Sequence, residues 1–441
     1  MSNYIPHTDK DIQDMLSVIK KGSLEELYSG LQSFLAGDID IPQGKGQQQI
    51  EKDFFKLSKQ NKVYESIFMG GGAYNHYIPA AVKSLVSRQE FLTAYTPYQP
   101  EISQGILQVI FEYQSMISRL TGMDVSNASV YDGATALADG LIMLAQRKKN
   151  KVLISRGVDK KSVEVLKTYF SAQDIEIDFI DLNKSGQTCL KSLKKKMDDN
   201  VFAVAISQPN FYGIIEKSDI IGEKVKENGA SFVMKCNPIS LALLKNGKES
   251  NADVVVGEGQ PLGMSLNFGG PYLGFLATTQ KNMRKLVGRI VGKTKDAKGK
   301  DAYVLTLQAR EQHIRREKAT SSICSNQAHC ALTATIYMAI MGKDGIKEVA
   351  CQSVSKAHYL AKKITNIDGY EIKYKGEFFN EFVITSRVKA DEIIKKCKDN
   401  NILAGCKLSE NEILWCCTEM NDKEQMDKLV RVLEEIIDEH I

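Results

Sequence analysis

Between residues 151 and 280 the chain alternates short, β-branched apolar runs with stretches of helical period, and few architectures accept that rhythm. Residues 152–155, 175–180, 201–206, 230–236 and 253–256 read as strands, and residues 161–170, 190–197 and 218–228 as the helices between them. Strands joined through helices run parallel and must be covered on both faces. The expected fold class is therefore α/β, with a mainly parallel sheet, helices on both faces and ligands at the carboxyl ends of the strands.

The last of these strands leads into the most informative stretch, DVVVGEGQPLGMSLNFGGPYLG from Asp253 to Gly274. Its strand stops at Gly257-Glu258-Gly259, and a second strand pattern resumes over residues 272–278 after Gly269-Gly270-Pro271. A loop of Gly, Pro and polar residues between two buried strands lets backbone approach a small molecule closely. The lone GxG has no third glycine in place, which argues against a dinucleotide-binding turn.

Other loops carry polar and aromatic side chains of the kind that line sites. Three glycines at 70–72 precede Tyr74, His76 and Pro79; a loop with two prolines follows, bearing Tyr95, Thr96, Tyr98, Glu101, Ser103 and Gln104 before a helix over residues 106–120. Gly133-Ala134-Thr135 opens a helix, placing peptide N–H groups, a hydroxyl and the positive end of the helix dipole around one point, which suits either a phosphate or a plain cap. Residues 293–300 read as a charged loop, and the segment after it concentrates Arg310, His313, Arg315 and Arg316, either a salt-bridged surface or a site for an anion or a subunit.

Residues 1–67 read as a helical arm with little core of its own, suited to wrapping a neighbouring domain or subunit; residues 68–344 read as the large α/β domain, and residues 345–441 as a small C-terminal α+β domain, with Gly342 breaking the helical run between them. A formal charge of +4 over 441 residues, with lysine clusters that lack interleaved aromatics, speaks against nucleic acid as a partner. No apolar run reaches about 18 residues and the N-terminus lacks a signal-peptide pattern, so no membrane association is expected and a cytoplasmic protein is. Nine scattered cysteines without a CxxC pair support neither a metal site nor a disulfide framework.

Two resemblances follow from these motifs. The run at 253–261 resembles fold-type-I enzymes that use pyridoxal phosphate (PLP), in which a DVV strand leads into a His-Lys pair whose lysine forms the Schiff base; here Gln260-Pro261 stand in that place, and no lysine lies between Lys248 and Lys281. Lys235 and Lys245 lie outside that loop and read as surface or structural residues, and Asn237 stands where the resemblance implies an aspartate that keeps the pyridine nitrogen protonated. In such enzymes the cofactor phosphate sits on a turn at the place of residues 133–135, which would here be vestigial.

More closely, the motifs at 4–8, 73–79, 95–105, 127–135, 257–260 and 308–320 resemble the P-protein of the glycine cleavage system, in its alpha or first subunit, over nearly the whole chain. The resemblance implies a PLP-dependent glycine dehydrogenase (decarboxylating) split over two subunits, with the lysine and the covalently bound PLP on the beta subunit. It implies decarboxylation of glycine and transfer of the aminomethyl group to the lipoyl arm of the H-protein, and no catalytic residue acting in this chain alone. The loops bearing Tyr74, His76, Tyr95, Thr96, Tyr98, Glu101, Ser103, Gln104, Arg310, His313, Arg315 and Arg316 would line the active site or the subunit interface.

Overall fold

The computed structural model describes residues 6–34, 40–93 and 95–439, so Tyr4 and Ile5 of the first motif and Ala94 of the proline loop lie outside the described residues. The chain forms two compact units, Met1–Val63 and Tyr64–Ile441. The first unit holds helices α1 (Asp9–Val18) and α2 (Gln47–Ser58). Thr8 starts α1 through a capping box with Asp11, which satisfies two otherwise free peptide N–H groups. Val18, Phe34, Phe54 and Phe55 are largely exposed there, and Leu16 is the one buried hydrophobic residue among those described in this unit.

In the second unit, α3 (Gln104–Thr121) is amphipathic and ends at Gly122, whose φ of +72° is a left-handed C-terminal stop. A seven-stranded sheet follows: β1 (Val125–Ser126), β2 (Lys151–Ser155), β3 (Glu176–Ile180), β4 (Val201–Gln208), β5 (Ser231–Cys236), β6 (Val254–Glu258) and β7 (Gly274–Thr278), in the spatial order β1-β7-β6-β5-β4-β2-β3. The run from β6 to β3 is parallel, while β7 and β1 join antiparallel at one edge. All eight residues of β4 and all three valines of β6 are buried, as a parallel strand covered on both faces requires. The strand order reverses between β4 and β2, where the crevice outside the carboxyl ends is open to a ligand.

Helices α4 (Gly133–Ile142), α5 (Lys160–Phe170) and α6 (Ser218–Glu227) cover this sheet. Gly140 lets α4 lie against β6, since a Cβ there would stand 3.1 Å from the Val256 side chain. Residues 293–300, expected as a loop, belong instead to a hairpin of β8 (Ile290–Lys295) and β9 (Asp301–Thr306). Lys293 and Lys295 both pair with Asp301 across it, so charges that suggested a solvated loop are cross-strand partners.

Helix α7 (Ala328–Thr365) is interrupted at Gly342, which takes φ +59° and ψ −173° as the break in the sequence pattern implies. Beyond it, an antiparallel sheet of β10 (Tyr370–Ile372), β11 (Glu381–Ser386), β12 (Cys406–Ser409) and β13 (Glu412–Cys416) is packed by α8 (Ala390–Asp399) and α9 (Lys423–Asp438) around Trp415 and Leu433. Phe68 belongs to that same core, and Ser66–Ile67 pairs in parallel with Ile402–Leu403. The glycine loop that follows Phe68 is thus anchored on the C-terminal sheet.

Candidate functional site

The register of the sheet sets one cavity. Ser207 pairs with Lys235 and Cys236 with Gly257, so β4, β5 and β6 end side by side. Their ends and the start of α5 line a cleft of about 80 Å³, closed from the other side by Gly71, Gly72, Tyr74 and Glu381. Lys235 Nζ donates to the Asp159 carboxylate and to Ser162 Oγ at the first turn of α5. Burial alone would raise the Asp159 carboxyl, but Lys235 and the bonds from Ser162 hold it below its ordinary range. Lys235 is accordingly part of the cavity wall rather than of the surface, while Lys245 is exposed and paired with Asp219.

Two acids of this cavity, the buried Glu381 and the half-buried Glu258, have no ion-pair partner among the described residues. Glu258 Oε1 accepts the N–H groups of Gln260 (3.0 Å) and Leu273 (2.9 Å), and its Oε2 accepts that of Gly133 (3.0 Å). Burial pushes this carboxyl up to about 7, the peptide donors offsetting only part of the effect. Glu381 accepts from the Gly71 N–H (2.6 Å) and the Tyr74 hydroxyl (2.8 Å), and burial pushes it likewise to about 7. Burial and the adjoining Glu381 hold the Tyr74 hydroxyl protonated.

These residues do not fit PLP. Gln260, the first of the two residues that stand where the resemblance implies a His-Lys pair, is fully buried and has its side-chain amide engaged by Tyr74 and Met264. Pro261 lines the cavity and offers no amine. The turn at Gly133, Ala134 and Thr135 already holds carboxylates of the chain itself: Gly133 N–H donates to Glu258, and Thr135 N–H to Asp132 Oδ1 at 2.7 Å. A Cβ on Gly133 would stand 2.8 Å from the Glu258 nitrogen, so only glycine permits that approach.

A second constellation joins two loops far apart in sequence. The Arg289 guanidinium donates to the Tyr98 hydroxyl at 3.1 Å and lies 5.1 Å from the centre of its ring, against which His313 packs edge-on at 5.8 Å. The Glu311 carboxylate is 3.9 Å from Arg289 Nε and 3.6 Å from His313 Nδ1. Beside this group, Arg284, Lys285, Arg310 and Arg315 line a cleft of about 270 Å³, while Tyr95 and Thr96 line another of about 250 Å³ together with Arg289. The arrangement suits a planar anion that approaches from outside the chain.

Of the remaining sequence candidates, His76 is buried and paired with Glu419 at 2.7 Å, behind Tyr74 and not in the cavity lining. Gln104 clamps the hairpin through two bonds to Tyr303 and makes a third to Pro100 of its own loop, and Ser103 makes no capping bond. Glu101, Arg315 and Arg316 are exposed, and Arg310 donates to the carbonyls of Leu307 and Gly288. Sequence reading passed over Asp159, Arg289, Glu311 and Glu381. Glu311 stood inside a motif that was noticed, whereas Glu381 meets Tyr74 across 307 positions and leaves no local signal.

The family described as glycine cleavage system P-protein matches residues 2–433. Among curated proteins, the probable glycine dehydrogenase (decarboxylating) subunit 1 of Chlorobium luteolum is 45% identical over 442 residues, covering 98% of this chain and 99% of that one. A crystal structure of glycine decarboxylase (P-protein) of the glycine cleavage system, in inhibitor-bound form, superposes with a TM-score of 0.90 at 37% identity, covering 99% of this chain and 100% of that one. A C-DES mutant with glycine covalently linked to its PLP cofactor shares the fold alone, with a TM-score of 0.64 at 14% identity over 86% of this chain and 98% of that one.

Proposed function

The chain belongs to the family of glycine cleavage system P-proteins, and on that premise we propose that it is the subunit without PLP in a two-subunit glycine dehydrogenase (decarboxylating). Its partner, the beta subunit, carries the Schiff-base lysine and supplies PLP as the electron sink for glycine. Together they decarboxylate glycine and hand the aminomethyl group to the lipoyl arm of the H-protein, in the cytoplasm. The observation that carries this reading is the pair Gln260-Pro261: a fully buried amide, engaged on both sides, and a proline without an amine stand where the resemblance implies the His-Lys pair.

What this chain contributes is shape and charge. The loop bearing Tyr95, Thr96, Tyr98 and Glu101 and the segment bearing Arg310, His313, Arg315 and Arg316 meet at Arg289, and form one face presented to the partner. Tyr98 and Glu311 orient Arg289 and His313, and the exposed Arg315 and Arg316 supply cations to a carboxylate or phosphate on the partner's side. Closing that face excludes water from the partner's site, where electrostatic contacts then act more strongly.

The test is glycine–bicarbonate exchange by the purified chain, alone and mixed with a beta subunit, each with added PLP. The expected result is no exchange and no cofactor absorption band from the chain alone, with exchange appearing in the mixture. Exchange by this chain alone would overturn the reading.

A further inference from the structure

We propose that the Glu258 carboxylate takes, within the chain itself, the position of a bound phosphate at the first turn of α4, and so closes this subunit to phosphorylated ligands independently of its missing lysine. Three peptide N–H groups from three different segments converge on this one carboxyl: Gly133 at the start of α4, Gln260 in the loop after β6, and Leu273 before β7. Converging peptide donors at a helix N-terminus form an anion nest, in which the helix dipole favours negative charge. No Lys, Arg or His forms an ion pair with Glu258 among the described residues, so the nest is its whole electrostatic support.

The fit is built by neighbours rather than by a flexible side chain. Glu258 ends β6, pairs with Gly274 of β7, and is approached by Gly133 so closely that no side chain is possible there. Asp132 stands beside it and takes the Thr135 N–H. A phosphate arriving at this turn would find its donors occupied and two carboxyl groups facing it. Space is not what is lacking: the adjoining cleft, with Lys235 on its wall, is about 80 Å³. Truncating Glu258 would release the Gly133 N–H and join the turn to that cleft, adding the Ala134 N–H, which has no acceptor within the helix.

The experiment measures inorganic phosphate binding to the full chain by calorimetry and phosphorus NMR, in the wild type, Glu258→Ala and Glu258→Ser, each with and without Ala134→Pro. Proline is tolerated in the first turn of a helix but removes the donor at the proposed position. The part of the binding lost on Ala134→Pro therefore reports this turn, and binding at the basic cleft of Arg284 and Arg315 drops out of the comparison. The expected result is no such component in the wild type up to the highest phosphate concentration used, and one in Glu258→Ala or Glu258→Ser with a Kd at least about tenfold below that concentration. A wild-type chain with an Ala134→Pro-sensitive phosphate site would overturn the proposal, as would folded Glu258→Ala and Glu258→Ser chains that bind no better than wild type. The readout is binding to this chain, so the result is independent of whether the mixture with a beta subunit exchanges glycine.

Discussion

Tyr74 and Gln260, 186 positions apart, exchange a reciprocal pair of hydrogen bonds: the Tyr74 N–H donates to Gln260 Oε1 and Gln260 Nε2 donates to the Tyr74 carbonyl, both at 2.9 Å. Gln260 Nε2 also donates to the Met264 carbonyl at 2.8 Å, so one side chain fastens the glycine loop to the strand-end loop. Gln260→Ala would strand three peptide groups, that of Met264 buried and the two of Tyr74 part-buried, each costing up to about 1–3 kcal/mol, and should lower stability by on the order of 3 kcal/mol in urea unfolding. Gln260→Lys should lose similar stability and gain no cofactor absorption, because the amine would enter a closed bracket. A stable Gln260→Lys chain with a PLP absorption band would sink this account.

Stability should depend on pH in a direction set by buried acids. Burial pushes Glu258, Glu381 and Asp139 each up to about 7, whereas the unfolded chain titrates them near the ordinary carboxylate range. Between those values the folded chain binds more protons, so stability falls as pH rises from about 4 to about 8 and levels off above, by roughly 3–4 kcal/mol per group. Glu419 and Asp159 are held low and act in the opposite sense, losing their contribution only in more acid solution. Glu381→Gln should therefore flatten the decline between pH 5 and 8. An unchanged slope in urea-midpoint measurements across that range would count against the burial of a protonatable Glu381.

Gly213 and Gly229 make a matched pair. Both take left-handed backbone, at φ +81° and +68°, but a Cβ at Gly213 would stand 1.9 Å from the Glu381 carbonyl oxygen while one at Gly229 meets nothing within 4 Å. Gly229→Ala should cost about 1 kcal/mol, the backbone penalty alone. Gly213→Ala adds a clash with main chain that cannot rotate away, and should cost on the order of 3 kcal/mol or more. Equal unfolding midpoints for the two variants would show that the Gly213 turn yields more readily than its packing implies.

Much of this architecture was legible in the residues because its causes are local. The valines of β6, the break at Gly342 and the helices between the strands follow from burial period and glycine freedom. The hairpin of β8 and β9 was not legible, since Lys293, Lys295 and Asp301 look like solvated charges until pairing brings them opposite one another. Nor was the cavity: Glu381 and Tyr74, Ser207 and Lys235, and Glu258 and Gly133 meet through sheet register and chain reversal, which no window of sequence contains. His76 and Gln104, polar residues in conspicuous loops, have side chains bonded within the chain to Glu419 and to Tyr303, partners that no window of sequence names.

The last contrast separates holding from acting in the candidate interface. Gln104 makes three hydrogen bonds to the main chain of Tyr303 and Pro100, so Gln104→Leu should lower stability by about 1–3 kcal/mol through unpaired buried groups. His313 is 44% exposed at its side chain and Arg315 is exposed, so His313→Ala and Arg315→Ala should change stability by less than about 0.5 kcal/mol. If both present charge or a hydrogen-bonding edge to the partner's site, each substitution should still lower glycine–bicarbonate exchange by the mixed subunits about 10- to 100-fold. Titrating the beta subunit against a fixed amount of each variant separates weaker association, which excess partner restores, from a defect within the assembled enzyme, which it does not. Full exchange activity in both variants at equal subunit concentrations would remove this face from the active site.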